Sequence, residues 1–124
     1  MRQIETKMCK ALLAGKPFRK DNTKVRVTTN DDGSFHSAIV TLFGNEIAHY
    51  YHKNEDGWVI RLTDAEWDTV TTRSRLNALM CEVVRGDRTF IYREKGKTTY
   101  RMGANRYEWQ GTHLFLAHAP EGSE

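Results

Sequence analysis

The chain has 124 residues, 39% of them hydrophobic and 28% charged, enough for one core built without disulfides or metal. No apolar run approaches a membrane span, and the first residues lack the charged-then-apolar layout of a signal peptide. The formal charge of +3 hides a segregation: residues 1–26 carry +6, residues 27–68 carry −6, residues 69–118 carry +5, and the last six carry −2. Such blocks either build separate patches or pair the basic ends with the acidic middle.

Residues 2–14 predict a helix. Ile4, Met8, Ala11 and Leu12 line one face, with Cys9 and Leu13 beside it, and Gly15 and Pro17 stop it. Arg2, Lys7, Lys10 and Lys16 make the outer face basic, which is ordinarily a solvated surface. From Thr23 the period changes to two. Lys24 to Thr28 alternates polar and apolar, and Asn30-Asp31-Asp32-Gly33 is a turn cluster with a hairpin signal. Phe35 to Phe43, Glu46 to His52 and Trp58 to Leu62 follow as strands, separated by Gly44-Asn45 and Asn54-Glu55-Asp56-Gly57. Four strands with short polar turns predict an antiparallel meander.

The strongest local pattern is the helix expected from Thr72 to Arg85. Leu76, Leu79, Met80, Val83 and Val84 fall at i, i+3, i+4, i+7 and i+8, one buried stripe. Thr71 or Thr72 is the expected N-cap, and Arg85 followed by Gly86 the expected stop. Arg73 and Arg75 sit at the positive end of the helix dipole. Pairing with Asp64, Glu66 or Asp68 explains them; holding an anion or an acidic partner is the functional alternative. Asn77 is a poor mid-helix residue, and its amide is expected to bond the backbone of an adjacent loop or strand.

Beyond this helix, Thr89 to Arg93 and Thr98 to Met102 form a predicted hairpin with Gly96 at its tip. A last segment, Tyr107 to His118, carries a bulge or turn at Gly111. The resulting order is α-ββββ-α-βββ. It describes a single α+β domain over residues 1–118, an antiparallel sheet of about seven strands with helices packed on one face. Residues 119–124 read as a flexible tail.

Candidate chemistry is sparse. Cys9 and Cys81 have neither C-x-x-C nor zinc spacing, so reduced thiols in a cytoplasmic protein are expected. His49 and His52, three apart on a strand, face opposite sides, and His36, His113 and His118 add no ligand spacing, so no metal is expected. The pairs Asp31-Asp32 and Glu55-Asp56 lie in turns, where such residues recur for backbone reasons. No nucleophile, phosphate or dinucleotide motif is present; neither enzymatic activity nor a cofactor is expected. The C-terminal third is different. Arg88, Arg93, Lys95, Lys97, Arg101 and Arg106 interleave with Phe90, Tyr92, Tyr100 and Tyr107. Cations hold phosphates and exposed rings stack on unpaired bases. If the Phe90 face is the core face, only the charges stay outside, and the hairpin is a solvated edge protected by its lysines.

The run Trp67-Asp68-Thr69-Val70-Thr71-Thr72-Arg73-Ser74-Arg75-Leu76-Asn77-Ala78-Leu79 resembles a T-T-x-x-R-[LI]-N-A-[LI] pattern of small tailed-bacteriophage proteins, as does the β-rich stretch Phe90 to Tyr100 after it. No activity is established for that group, so no catalytic residue carries over. The resemblance implies a phage product working in the cytoplasm of an infected bacterium. The leading expectation is therefore a non-enzymatic accessory protein that binds nucleic acid, or a nucleic-acid-bound complex, through the basic hairpin. The alternative is an inhibitor or adaptor that grips a host protein through the acidic, aromatic middle or a sheet edge, with Arg73, Arg75, Tyr50 and Trp58 as candidate contacts.

Overall fold

A computed structural model describes residues 1–53, 57–85, 89–111 and 113–117. Two helices and nine strands form an α+β fold with two sheets. Helix α1 is Gln3–Ala14. Strands β1 (Phe18–Lys20), β2 (Thr23–Thr29), β3 (Phe35–Leu42), β4 (Asn45–His52) and β5 (Trp58–Leu62) follow. Helix α2 (Val70–Leu79) continues as a π-helical turn, Met80–Val84. Then come β6 (Thr89–Glu94), β7 (Lys97–Met102), β8 (Asn105–Glu108) and β9 (Leu114–Ala117).

The sheets differ from the single sheet of about seven strands that periodicity predicts. The large one has the order β1-β2-β3-β4-β5-β9 and the small one β6-β7-β8, with every pairing antiparallel. Strand β1 has no alternation to betray it; three residues after Pro17 pair onto β2. The last predicted strand is divided. Its first part joins the hairpin, and its second returns to the far edge of the meander beside β5. Gly111 lies between the two with φ +78, and a Cβ there would overlap the Asp64 carboxylate, so chain reversal and close approach both demand glycine. The predicted tail, the 54–56 turn, Gly86 and Arg88 lie outside the described residues.

One core joins Met8, Cys9 and Leu12 of α1 to Val25, Val40, Leu42, Ile60 and Leu62 of the large sheet and to the α2 stripe. All five stripe residues are buried as their spacing requires. The cap is Thr69, not Thr71 or Thr72; its Oγ1 accepts from the Thr72 amide at 3.1 Å. Thr72 is instead buried, with its hydroxyl against that of Thr69. At the other end the Arg85 amide donates to the Met80 carbonyl five residues back, and Arg85 itself takes the left-handed conformation at φ 56.

Two polar joints hold the layers in place. Glu5 and Arg75 are 2% and 4% exposed and pair at 2.7 Å. Glu5 also accepts from the Ser74 hydroxyl at 2.5 Å and the Arg2 amide at 3.2 Å. Arg75 spends Nε on Thr23 at 3.0 Å and Nη2 on Asn22 at 3.4 Å. Arg75 therefore pairs with none of the expected Asp64, Glu66 and Asp68. Burial works against ionisation of Glu5, but the bonds from Ser74 and Arg75 outweigh it and keep the carboxyl below its usual range. The second joint is Asn77, whose Nδ2 donates to the Ile91 carbonyl at 2.8 Å while its Oδ1 accepts the Ile91 amide at 2.6 Å. The expected side-chain bond to a neighbouring strand is thus doubled, and it pins β6 to α2.

Arg75→Ala strands a buried carboxylate and should cost about 3–5 kcal/mol, whereas a double change of Arg75 and Glu5 to Met should recover most of it; chemical denaturation of both variants decides this. Because the Glu5 pKa is lowered on folding, its contribution is complete above the unfolded carboxyl range and fades as pH falls below it. The acid limb of a stability–pH curve should accordingly flatten in the double variant. Asn77→Ala removes both bonds to Ile91 and should cost about 2–3 kcal/mol, with hydrogen exchange rising first at the β6 amides.

Candidate nucleic-acid interface

The small sheet has an inner and an outer face, and the register assigns every residue to one of them. Ile91 and Tyr100 are paired and buried against α2. Phe90 pairs with Arg101, and Arg101 with Arg106, so these three form a row across the outer face. Tyr92 and Lys97 share that face. The Ile91 side is therefore the core side, and the rings of Phe90 and Tyr92, 5.2 Å apart, face outward with the cations. Arg101 lies over the Phe90 ring, its guanidinium carbon 5.8 Å from the centroid, while Nε donates to the Gly103 carbonyl at 2.8 Å.

Not every predicted cation is equally available. Arg93 donates to Asp68 at 2.7 Å and to the Gly96 carbonyl at 2.6 Å. Arg106 lies 3.3 Å from Glu94, and Lys97 is 3.8 Å from Glu108, both at exposed positions where pairing is weak. Lys95 is exposed at the hairpin tip, where it and Gly96 both have positive φ, the signature of a tight two-residue turn. Tyr100 is withdrawn: it stacks on Tyr107 with centroids 6.3 Å apart, and burial, then the neighbouring Tyr107, raises its phenol pKa.

The other candidate contacts are taken up by folding. Arg75 is the buried partner of Glu5. Arg73 pairs with Asp68 at 2.5 Å, one of its three expected partners. Tyr50 is buried and stacks on Trp58 with centroids 5.0 Å apart, and Phe35 packs against both rings. Asp68 is the residue that sequence reasoning undervalued. It receives Arg73, Arg93 and the Thr98 hydroxyl, so it ties the start of α2 to the hairpin. Burial opposes its ionisation, but bonds from Thr98, Arg73 and Arg93 prevail and lower its pKa.

A second feature lies on the acidic middle of the chain. A pocket of about 470 Å³ is lined by Leu42, Phe43, Ile47, Asp64, Trp67 and Thr72, among others. Phe43 is 71% exposed and Trp67 61%. Phe43, Ala65 and Glu66 all have positive φ, so three backbone conformations costly for side-chain-bearing residues surround the pocket. Asp64 is buried there, and burial raises its pKa. Among the described residues, no three His, Cys, Asp or Glu side chains gather as a metal-binding group. The Cys9 thiol donates to the Ala78 carbonyl at 3.6 Å, and burial pushes its pKa up to about 12, which removes it as a nucleophile at neutral pH.

Asp68→Asn should loosen the hairpin from α2. A loss of about 1–3 kcal/mol is expected, together with faster exchange in β6 and β7 and a smaller stability difference between pH 7 and pH 3. A thermal melt at the two pH values checks it.

A comparison with known proteins adds one finding. No curated protein and no solved structure matches the chain, but the family model described as "Kyanoviridae Gp96 protein" matches residues 1–115. The match covers nearly the whole chain, and the protein belongs to this bacteriophage family.

Proposed function

We propose that this phage protein is a non-enzymatic accessory factor that binds nucleic acid, or a complex already carrying it, through the outer face of the small sheet. The supporting observation is the row Phe90–Arg101–Arg106, which sets an exposed ring and two guanidinium groups side by side, flanked by Tyr92 and Lys97. Cations supply the salt-dependent hold on phosphates, and the rings supply stacking on unpaired bases. The pairs with Glu94 and Glu108 are exposed and readily exchanged for phosphate contacts. The T-T-x-x-R-[LI]-N-A-[LI] run belongs to the same reading as scaffold: it carries Asn77 and follows Asp68, the two anchors of the hairpin. The cytoplasm of the infected cell is where such a partner is met.

A second reading keeps a specific observation in its favour. The pocket flanked by exposed Phe43 and Trp67 suits the apolar side chain of a host protein, with Glu66, exposed between the lining residues Ala65 and Trp67, for a basic neighbour. Capture of a bacterial partner that survives nuclease treatment and disappears in Trp67→Ala would favour that reading.

Fluorescence anisotropy with labelled oligonucleotides tests the first. Binding is expected at low salt and should weaken steeply as salt rises. Lys97→Glu with Arg101→Glu should weaken it about tenfold or more and flatten the salt slope by roughly 0.7 for each phosphate no longer neutralised. Absence of binding at low salt overturns the proposal.

A further inference from the structure

The large sheet also has two faces, and the described helices pack on only one of them. The core side takes Val25, Val40, Ala48, Ile60 and Leu116. Directly paired residues in antiparallel strands point to the same side, so the opposite face can be read from the register. Arg26 pairs with Ile39, Ile39 with His49, His49 with Arg61, and Arg61 with Phe115. This is one continuous row across five strands, spanning about 19 Å at ordinary strand spacing. Tyr51 stands in the next row on the same face, its ring 4.8 Å from that of His49. Lys24 stands in the row on the other side, paired across β1 with Arg19.

Three properties of this face coincide. Charge is the first. Among the described residues of this face, Arg19, Lys24, Arg26 and Arg61 stand with one acid, Glu46, which Arg61 takes at 2.7 Å. Arg61 keeps a buried Nε–H with no hydrogen-bond partner. Flat unsaturated surface is the second. Phe115 is 58% exposed, with His113 edge-on to it, while Tyr51 and His49 are half-buried. Desolvation, then the nearby Arg61, lowers the His49 pKa and so favours its uncharged ring. The third is shape: a twisted sheet face has no protruding helix or ribbon to enter a duplex groove, but it suits splayed bases laid across strands.

We infer that this open face is a binding platform for single-stranded nucleic acid, separate from the small sheet. Bases lie against Phe115, His49 and Tyr51, and phosphates run along Lys24 and Arg26. An acidic peptide would meet the cations but would leave the rings without flat partners. The inference does not rest on the hairpin reading, since none of its residues belongs to the small sheet.

The variants that test it are exposed and leave the core untouched: Lys24→Glu with Arg26→Glu, and Phe115→Ala. Anisotropy is measured with a labelled single strand, the matching duplex, and polyglutamate as competitor. The charge variant should bind the single strand about tenfold more weakly, with a salt slope shallower by roughly 1.4, because two phosphates are no longer neutralised. Phe115→Ala should weaken it at least about fivefold, as unstacking of one base does, with little change in salt slope. These decreases should appear equally in a background carrying Lys97→Glu and Arg101→Glu, which separates the two faces. Unchanged binding in both variants overturns the inference. So does a decrease confined to the charge variant, duplex binding as tight as single-strand binding, or equal competition by polyglutamate, each of which marks a general polyanion surface.

Discussion

The buried pair of Glu5 and Arg75 is the charged joint between the two helices, set within the apolar core they share. The two residues are 70 positions apart in sequence and join α1 to α2 in the core. Two charges withdrawn from water are costly, and the cost is met only when every remaining donor and acceptor has a partner. Ser74, Thr23, Asn22 and the Arg2 amide supply further partners. The pair thereby fixes more than a contact. It admits one relative position of α1, α2 and the start of β2, because a shift of one turn would leave a buried charge unmatched. Apolar stripes alone tolerate such slippage.

The small sheet is held by polar joints as well as by core packing. Asn77 occupies the Ile91 backbone in both directions, and Asp68 gathers Arg73, Arg93 and Thr98. These bonds orient the hairpin so that Ile91 and Tyr100 face α2. Pleating then puts Phe90, Tyr92 and Arg101 on the outside. The acidic middle of the chain is drawn partly into the same work, since Asp68 pairs with two arginines of the basic C-terminal segment. Charge segregation along the sequence is thus only partly preserved in space. Arg61 and Glu46 cancel within the acidic block, while Glu5 is the acid of a basic one.

A common arrangement underlies both candidate surfaces. Each sheet turns one face to the core, and the other face of each mixes rings with arginine or lysine. Water solvates the cations there without help, but it does not explain Phe115 or Phe90 among them. Rings beside guanidinium groups are what both proposals rest on, since bases can stack on the first and phosphates pair with the second. The apolar pocket between Phe43 and Trp67 is a separate feature, built by the turn after β3 and the strained approach to α2.

Much of the local structure was legible in the amino-acid sequence. Helical spacing marked the stripe from Leu76 to Val84, alternation marked β2, β-rich runs between turn signals marked β3 to β7, and the poor helix propensity of Asn77 pointed to a side-chain bond with a neighbour. Those features depend on residues a few positions apart. What could not be read depends on partners tens of residues away. Strand β1 exists because β2 offers it a free edge; β9 belongs to the large sheet because β5 does. The cap falls at Thr69, two residues before the nearer of the expected threonines, because the hydroxyl of Thr72 is needed inside. Nothing in the spacing of α1 marks Glu5 as buried; its partner, Arg75, comes from the other helix. The row from Arg26 to Phe115 is likewise invisible in one dimension: its five residues come from five strands, and only the register of the folded sheet makes them neighbours.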